Sequence, residues 1–118
     1  MEFKRLFTQQ EAERALPLVR RIVADILETG RALRDLPEGD PAIPGHQDAM
    51  EALLLELDEM GCYFKDWSFD VGLVDFPAVI DDQTVFLCWR SDESGLSWYH
   101  AVLEGYAGRR PLPSHARV

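Results

Sequence analysis

Two hydrophobic rhythms divide this chain. Apolar residues first recur at Ala12, Ala15, Leu16, Val19, Ile22, Val23, Ile26 and Leu33, the three-to-four spacing of a helix with one buried stripe. Thr8 and Glu11 fit the S/T-x-x-E capping box, which predicts a start at about Thr8. Pro17 falls inside the pattern and lacks a backbone donor, so a kink after the second turn is expected. Gly30 weakens the last turns and places the end between Gly30 and Leu36. The Pro- and Gly-rich stretch Pro37–Gly45 reads as a loop. A second helix is predicted over about Gln47–Met60, with its stripe at Met50, Leu53, Leu54, Leu57 and Met60 and with Gly61 as terminator. Asp48 and Glu51 then stand near its positive end.

After Gly61 the rhythm changes to that of strands. Val71–Ile80 and Val85–Arg90 are β-rich runs separated by Asp81-Asp82-Gln83-Thr84. A second turn, Ser91–Gly95, precedes Leu96–His100, and Cys62–Asp66 offers a further edge strand. The expected fold is α+β: an N-terminal two-helix hairpin packed on a three- or four-stranded antiparallel β-meander, in a single domain. No internal repeat is present.

Composition narrows the function classes. The chain has 118 residues, 47% of them hydrophobic and 28% charged, in the range of an ordinary globular domain. Its net charge of −9 speaks against a nucleic-acid or anionic-membrane surface, which needs clustered cations. The arginine doublets are Arg20-Arg21 and Arg109-Arg110. No run approaches the roughly 20 apolar residues of a membrane span. The start, MEFKRLFTQQ, turns polar too soon for a secretory signal, so a cytoplasmic location is expected. Cys62 and Cys88 sit among apolar residues and are expected as free, buried thiols.

The region Gly61–Arg110 holds all three Trp, both Cys, all three Tyr and four of the six Phe. Within it stand Gly72-Leu73-Val74-Asp75-Phe76-Pro77, Leu87-Cys88-Trp89-Arg90, Glu93, His100 and Gly105–Leu112. Together with Phe7, Glu11, Ala12, Leu16 and Pro17, these strings resemble the domain of unknown function 2203 family over nearly the whole chain. The family pattern has Trp directly before the His, where this chain has Tyr99 with Trp98 one earlier. It also has Gly before the Glu, where this chain has Asp92. The resemblance implies small prokaryotic proteins without an established activity, hence a grouping and no mechanism.

Strand parity says more about chemistry than motif matching does. A hairpin loop after Ile80 that sets Asp75 opposite Arg90 and Pro77 opposite Cys88, and a next loop that sets Cys88 opposite Trp98 and Phe86 opposite His100, sort the side chains onto two faces. One face carries Leu73, Asp75, Pro77, Val79, Phe86, Cys88, Arg90, Leu96, Trp98 and His100. The other carries Val74, Phe76, Ala78, Val85, Leu87, Trp89, Ser97 and Tyr99, and should pack on the helices. On the mixed face Asp75, Cys88, Arg90, Trp98 and His100 form one expected surface cluster.

Several chemistries fit that cluster. Asp75, Cys88 and His100 are the donor types of a zinc site, although no C-x-x-C or H-x-x-x-H spacing occurs and Glu93 at its loop tip is a poor fourth ligand. The plainer reading is a packed Cys88 and a hydrogen-bonded His100. A Cys88–His100 thiolate pair would be nucleophilic, yet Cys88 lies mid-strand and lacks an activating turn. Asp75, Arg90, Trp98 and His100 would bind a small anion, or Asp75 and Arg90 would form a cross-strand ion pair. Lys65-Asp66-Trp67 marks a strand end, and Arg109 is expected to cap a turn or pair with an acid on the helices. The aromatic excess, Trp67, Phe69, Trp98, Tyr99 and Tyr106, suggests a partner interface. The expectation is a non-catalytic interaction module acting as a homodimer. The alternative is a metal- or small-anion-binding protein, with a divalent metal such as zinc and an enzymatic role left open.

Overall fold

The computed structural model describes residues 2–113. Helix α1 spans Gln9–Asp35 and is entered through the complete capping box: Thr8 Oγ1 accepts from Glu11 N at 3.1 Å, and Glu11 Oε1 accepts from Thr8 N at 2.8 Å. The helix runs on through Pro17. Its stripe, Ala12, Leu16, Val19, Ile22, Val23, Ile26 and Leu27, is buried along one side. Helix α2 spans Ile43–Met60, starting earlier than the composition of Pro37–Gly45 predicts. Pro44 sits in its first turn, where a missing N–H costs nothing. Asp48 and Glu51 therefore lie beyond that turn, which carries no acid. Gly61, at φ 89, ends the helix in the left-handed conformation.

Five strands follow: β1 Tyr63–Lys65, β2 Leu73–Ile80, β3 Gln83–Arg90, β4 Trp98–Ala101 and β5 Arg110–Pro111. They form one antiparallel sheet in chain order, one strand more than the largest expected number because the short β5 returns beside β4. The β2–β3 register differs from the expectation. Asp75 faces Cys88, Leu73 faces Arg90 and Pro77 faces Phe86. The cause is a tight two-residue turn, in which Asp81 and Asp82 both take positive φ (50° and 62°), the geometry of a type I′ hairpin. The slip is two residues long, so every β2 and β3 side chain keeps its face. The β3–β4 register is as expected, with Cys88 opposite Trp98 and Phe86 opposite His100.

The apolar face packs as anticipated. Val74, Phe76, Ala78, Val85, Leu87 and Trp89 join the α1 stripe and Met50 and Leu57 of α2 in one core. Leu96 corrects the face assignment: it precedes β4 and lies in that core rather than on the mixed face. Pro77 is tolerated within β2 because its nitrogen shares a side with its carbonyl. That carbonyl accepts from Phe7 N at 2.7 Å, away from β3.

The loop between β1 and β2 is bound to α1. Phe69 takes φ 63°, costly for a bulky residue, and its ring lies against Gly30. Arg31 donates to the carbonyls of Phe69 (3.0 Å) and Asp70 (3.1 Å), and Arg34 to that of Ser68 (3.1 Å), which offsets the cost. A methyl at position 30 would overlap the Phe69 ring. Gly30→Ala, which stabilises an exposed helix by about 1 kcal/mol, should here destabilise the protein by about 1–3 kcal/mol through overpacking. Urea unfolding of the two proteins checks the sign.

Candidate metal centre

The mixed face is built by four strands. Register places Tyr63 and Lys65 of β1 on the same side as Leu73 and Asp75 of β2. Phe86, Cys88 and Arg90 of β3 follow, then Trp98 and His100 of β4. Asp75 and His100 stand on strands separated by β3. Their side chains meet across it, His100 Nε2 lying 3.1 Å from Asp75 Oδ1. Cys88 is directly opposite Asp75, and the Phe86 ring lies 5.5 Å from the imidazole. The Asp75, Cys88 and His100 donor atoms all lie within 4.8 Å of one another. All three residues are buried, with exposures of 4%, 1% and 3%. They form the floor of a cleft rather than the expected surface cluster.

The hydrogen bonds assign the protons. His100 Nδ1 lies 2.8 Å from the carbonyl oxygen of Ala101, which only accepts, so Nδ1 carries a hydrogen. Nε2 is thereby turned toward Asp75. The hydrogen bond to Asp75 raises the imidazole pKa above its ordinary value, against the lowering effect of burial. His100 thus binds a proton at Nε2 more readily than a free imidazole does, and when protonated it forms an ion pair with Asp75. Burial, and then the Asp75 charge, push the Cys88 thiol up to about 12. A thiol so raised is no spontaneous nucleophile, which argues against the thiolate-pair reading. Cys62 is also pushed up to about 12 by burial, and both cysteines are free.

The other predicted site residues go elsewhere. Arg90 does not pair with Asp75. It reaches Asp92 at 3.2 Å and donates to Tyr106 Oη at 2.8 Å. Trp98 packs against the Arg109 guanidinium, 4.9 Å from the ring centre. Arg109 pairs with no helix acid. Its Nη2 lies 2.7 Å from each Glu93 oxygen, and Glu93 Oε1 also accepts from Arg90 N at 2.8 Å. Glu93 is a structural anchor for the last segment, far from a ligand role.

Above the three donors lies a cavity of about 340 Å³. Leu73, Phe86 and Val102 supply apolar wall, and Lys65, Asp66, Glu104 and Tyr106 the polar rim. These rim residues were not singled out as site residues from the sequence. Extending the alternation to β1 would have found Lys65, which shares the face of Asp75. Glu104 and Tyr106 lie beyond β4, where no alternation guides placement. Glu104 accepts from Ala101 N at 3.1 Å and Arg110 Nη2 at 2.7 Å, and the Arg110 hydrogen bond holds its carboxyl below the usual range.

The model of an uncharacterised conserved protein family, DUF2203, matches residues 5–112, and the chain belongs to that family. Neither the curated proteins nor the solved structures hold a match to it. No helix among the described residues is long and apolar enough to cross a membrane.

The raised His100 pKa fixes how the pair contributes to stability. A group bound more tightly to its proton in the folded state stabilises fully below its unfolded pKa, about 6.5 for histidine. That contribution is lost as pH rises through the higher folded value. In chelator-treated protein, the melting-temperature gap between wild type and His100→Gln should be widest near or below about pH 6.5. It should narrow steadily toward alkaline pH. A gap independent of pH over that range would contradict a raised His100 pKa in the folded state.

Proposed function

We propose that this protein binds a divalent transition metal, zinc before others, through Asp75 Oδ, Cys88 Sγ and His100 Nε2, with one position left open to the cleft. The observation that carries this reading is the convergence of three buried donors of thiolate, imidazole and carboxylate type within 4.8 Å. Tetrahedral zinc bonds of about 2.0–2.3 Å set ligand atoms roughly 3.3–3.8 Å apart, so a bound ion would draw the widest pair in by up to about 1 Å and open the 3.1 Å Asp75–His100 contact slightly. The Nδ1–H bond to the Ala101 carbonyl supports the same reading, since an imidazole tethered in this way presents Nε2 in one direction. A thiolate in the set favours zinc over magnesium or calcium. Three protein donors with an open position have the form of a catalytic centre rather than of a closed structural one.

The chain's own residues have clear tasks in this reading. Asp75 supplies negative charge beside the ion. Cys88 and His100 give up the protons they hold without metal, so affinity rises with pH. Phe86 and Leu73 keep the floor poor in water. Protein purified without an affinity tag should carry close to one equivalent of zinc by elemental analysis. Reloading with cobalt should give a thiolate-to-cobalt charge-transfer band. Cys88→Ser and His100→Asn should each lose at least about tenfold in affinity. Metal-free wild type that takes up no zinc or cobalt would overturn the reading.

A second reading, association as a homodimer, is favoured by one observation. Leu6 (50% exposed) and Val79 (49%) flank one apolar groove of about 380 Å³, completed by Ala78, Ile80 and Leu112. Burying this groove against a second copy would cover both side chains. Sedimentation at low micromolar concentration should show a dimer that Val79→Lys dissociates, and a monomer throughout would remove the idea.

A further inference from the structure

We infer that the cleft over Asp75, Cys88 and His100 takes a small carboxylate with a short apolar body, its anionic group held by Lys65. This rests on the metal reading above and specifies what the open position faces. The three donors project from one face of a sheet, so the open direction points away from the strands and into the cleft. The cleft volume, about 340 Å³, is at the small end for ligand sites, which suits a compact molecule.

The rim selects charge. Glu104 is neutralised by Arg110 and by the Ala101 N–H. Asp66 accepts from Ser68 N at 3.1 Å, and the Tyr106 hydroxyl accepts from Arg90. Lys65 differs. Among the described residues it makes no ion pair, and its Nζ lies 6.0 Å from the centre of the Phe86 ring, the ring that also contacts His100. A divalent ion held by a thiolate and a carboxylate has no net charge left over, and Lys65 is the one cationic side chain among the lining residues that can meet an anionic group. Its ammonium is a mobile point charge with three donors, suited to one anionic group rather than to a planar bidentate clamp. Leu73, Phe86 and Val102 then offer apolar wall to the remainder of the ligand. An inorganic anion would leave that wall unused.

The test uses the full chain loaded with cobalt. Butyrate titrated into it should perturb the cobalt absorption spectrum saturably, and inorganic phosphate should bind at least about tenfold more weakly. Lys65→Met should weaken butyrate at least about tenfold while cobalt stoichiometry and the charge-transfer band stay unchanged. Cobalt bound at one equivalent with no response to butyrate would overturn this inference and leave the metal reading standing. So would a butyrate affinity indifferent to Lys65→Met, or a preference for phosphate. Failure to bind cobalt at all would overturn both.

Discussion

The contact between Asp75 and His100 across β3 is the constraint around which this sheet is arranged. Two groups able to carry charge are buried in a small domain, and each would be costly alone. They satisfy one another only while β2, β3 and β4 hold their register. A slip of one residue on β2 or β4 would send one partner into the apolar core and strand the other, and a slip on β3 would turn Cys88 away from both. The core face and the cleft are therefore two consequences of one alignment. Trp89 and Leu87 are driven inward by the same pleat that aims Cys88 and Phe86 outward.

Much of this alignment was legible in the amino-acid sequence. The capping box at Thr8, the stripe of α1, the Gly61 terminator and the two-faced strands all follow from local rules. The β2–β3 register did not, because two consecutive aspartates at positive φ close the hairpin where four turn-forming residues offered a longer loop. The faces survived that error because a shift of two preserves parity. Asp75 thereby met Cys88 instead of Arg90, and Arg90 turned to Asp92 and Tyr106. The pairing of Glu93 with Arg109 lay beyond local reasoning, since it depends on a short segment folding back beside Trp98.

Helix α1 contributes more to the cleft than backing for the sheet. Arg31 and Arg34 grip the backbone of residues 68–70, and Gly30 receives the Phe69 ring. This loop begins at Asp66, directly after Lys65, so its tethering limits where the cleft rim can move. Phe69 holds a backbone conformation that its own side chain disfavours. The arginines supply three hydrogen bonds to keep it there, so the segment that follows Lys65 is tied to a helix on the opposite side of the sheet.

The strict chain order of the five strands also bears on how the cleft comes into being. Asp75 and His100 are only 25 residues apart, and two successive hairpins suffice to bring them together. The entropy of closing such short loops is small and grows slowly with their length. Contacts of low sequence separation are also the ones that form quickly. The donor set is thus local in sequence, its three residues lying within two successive hairpins. Docking of α1, whose contacts with the sheet span most of the chain, is the long-range event that fixes it in place.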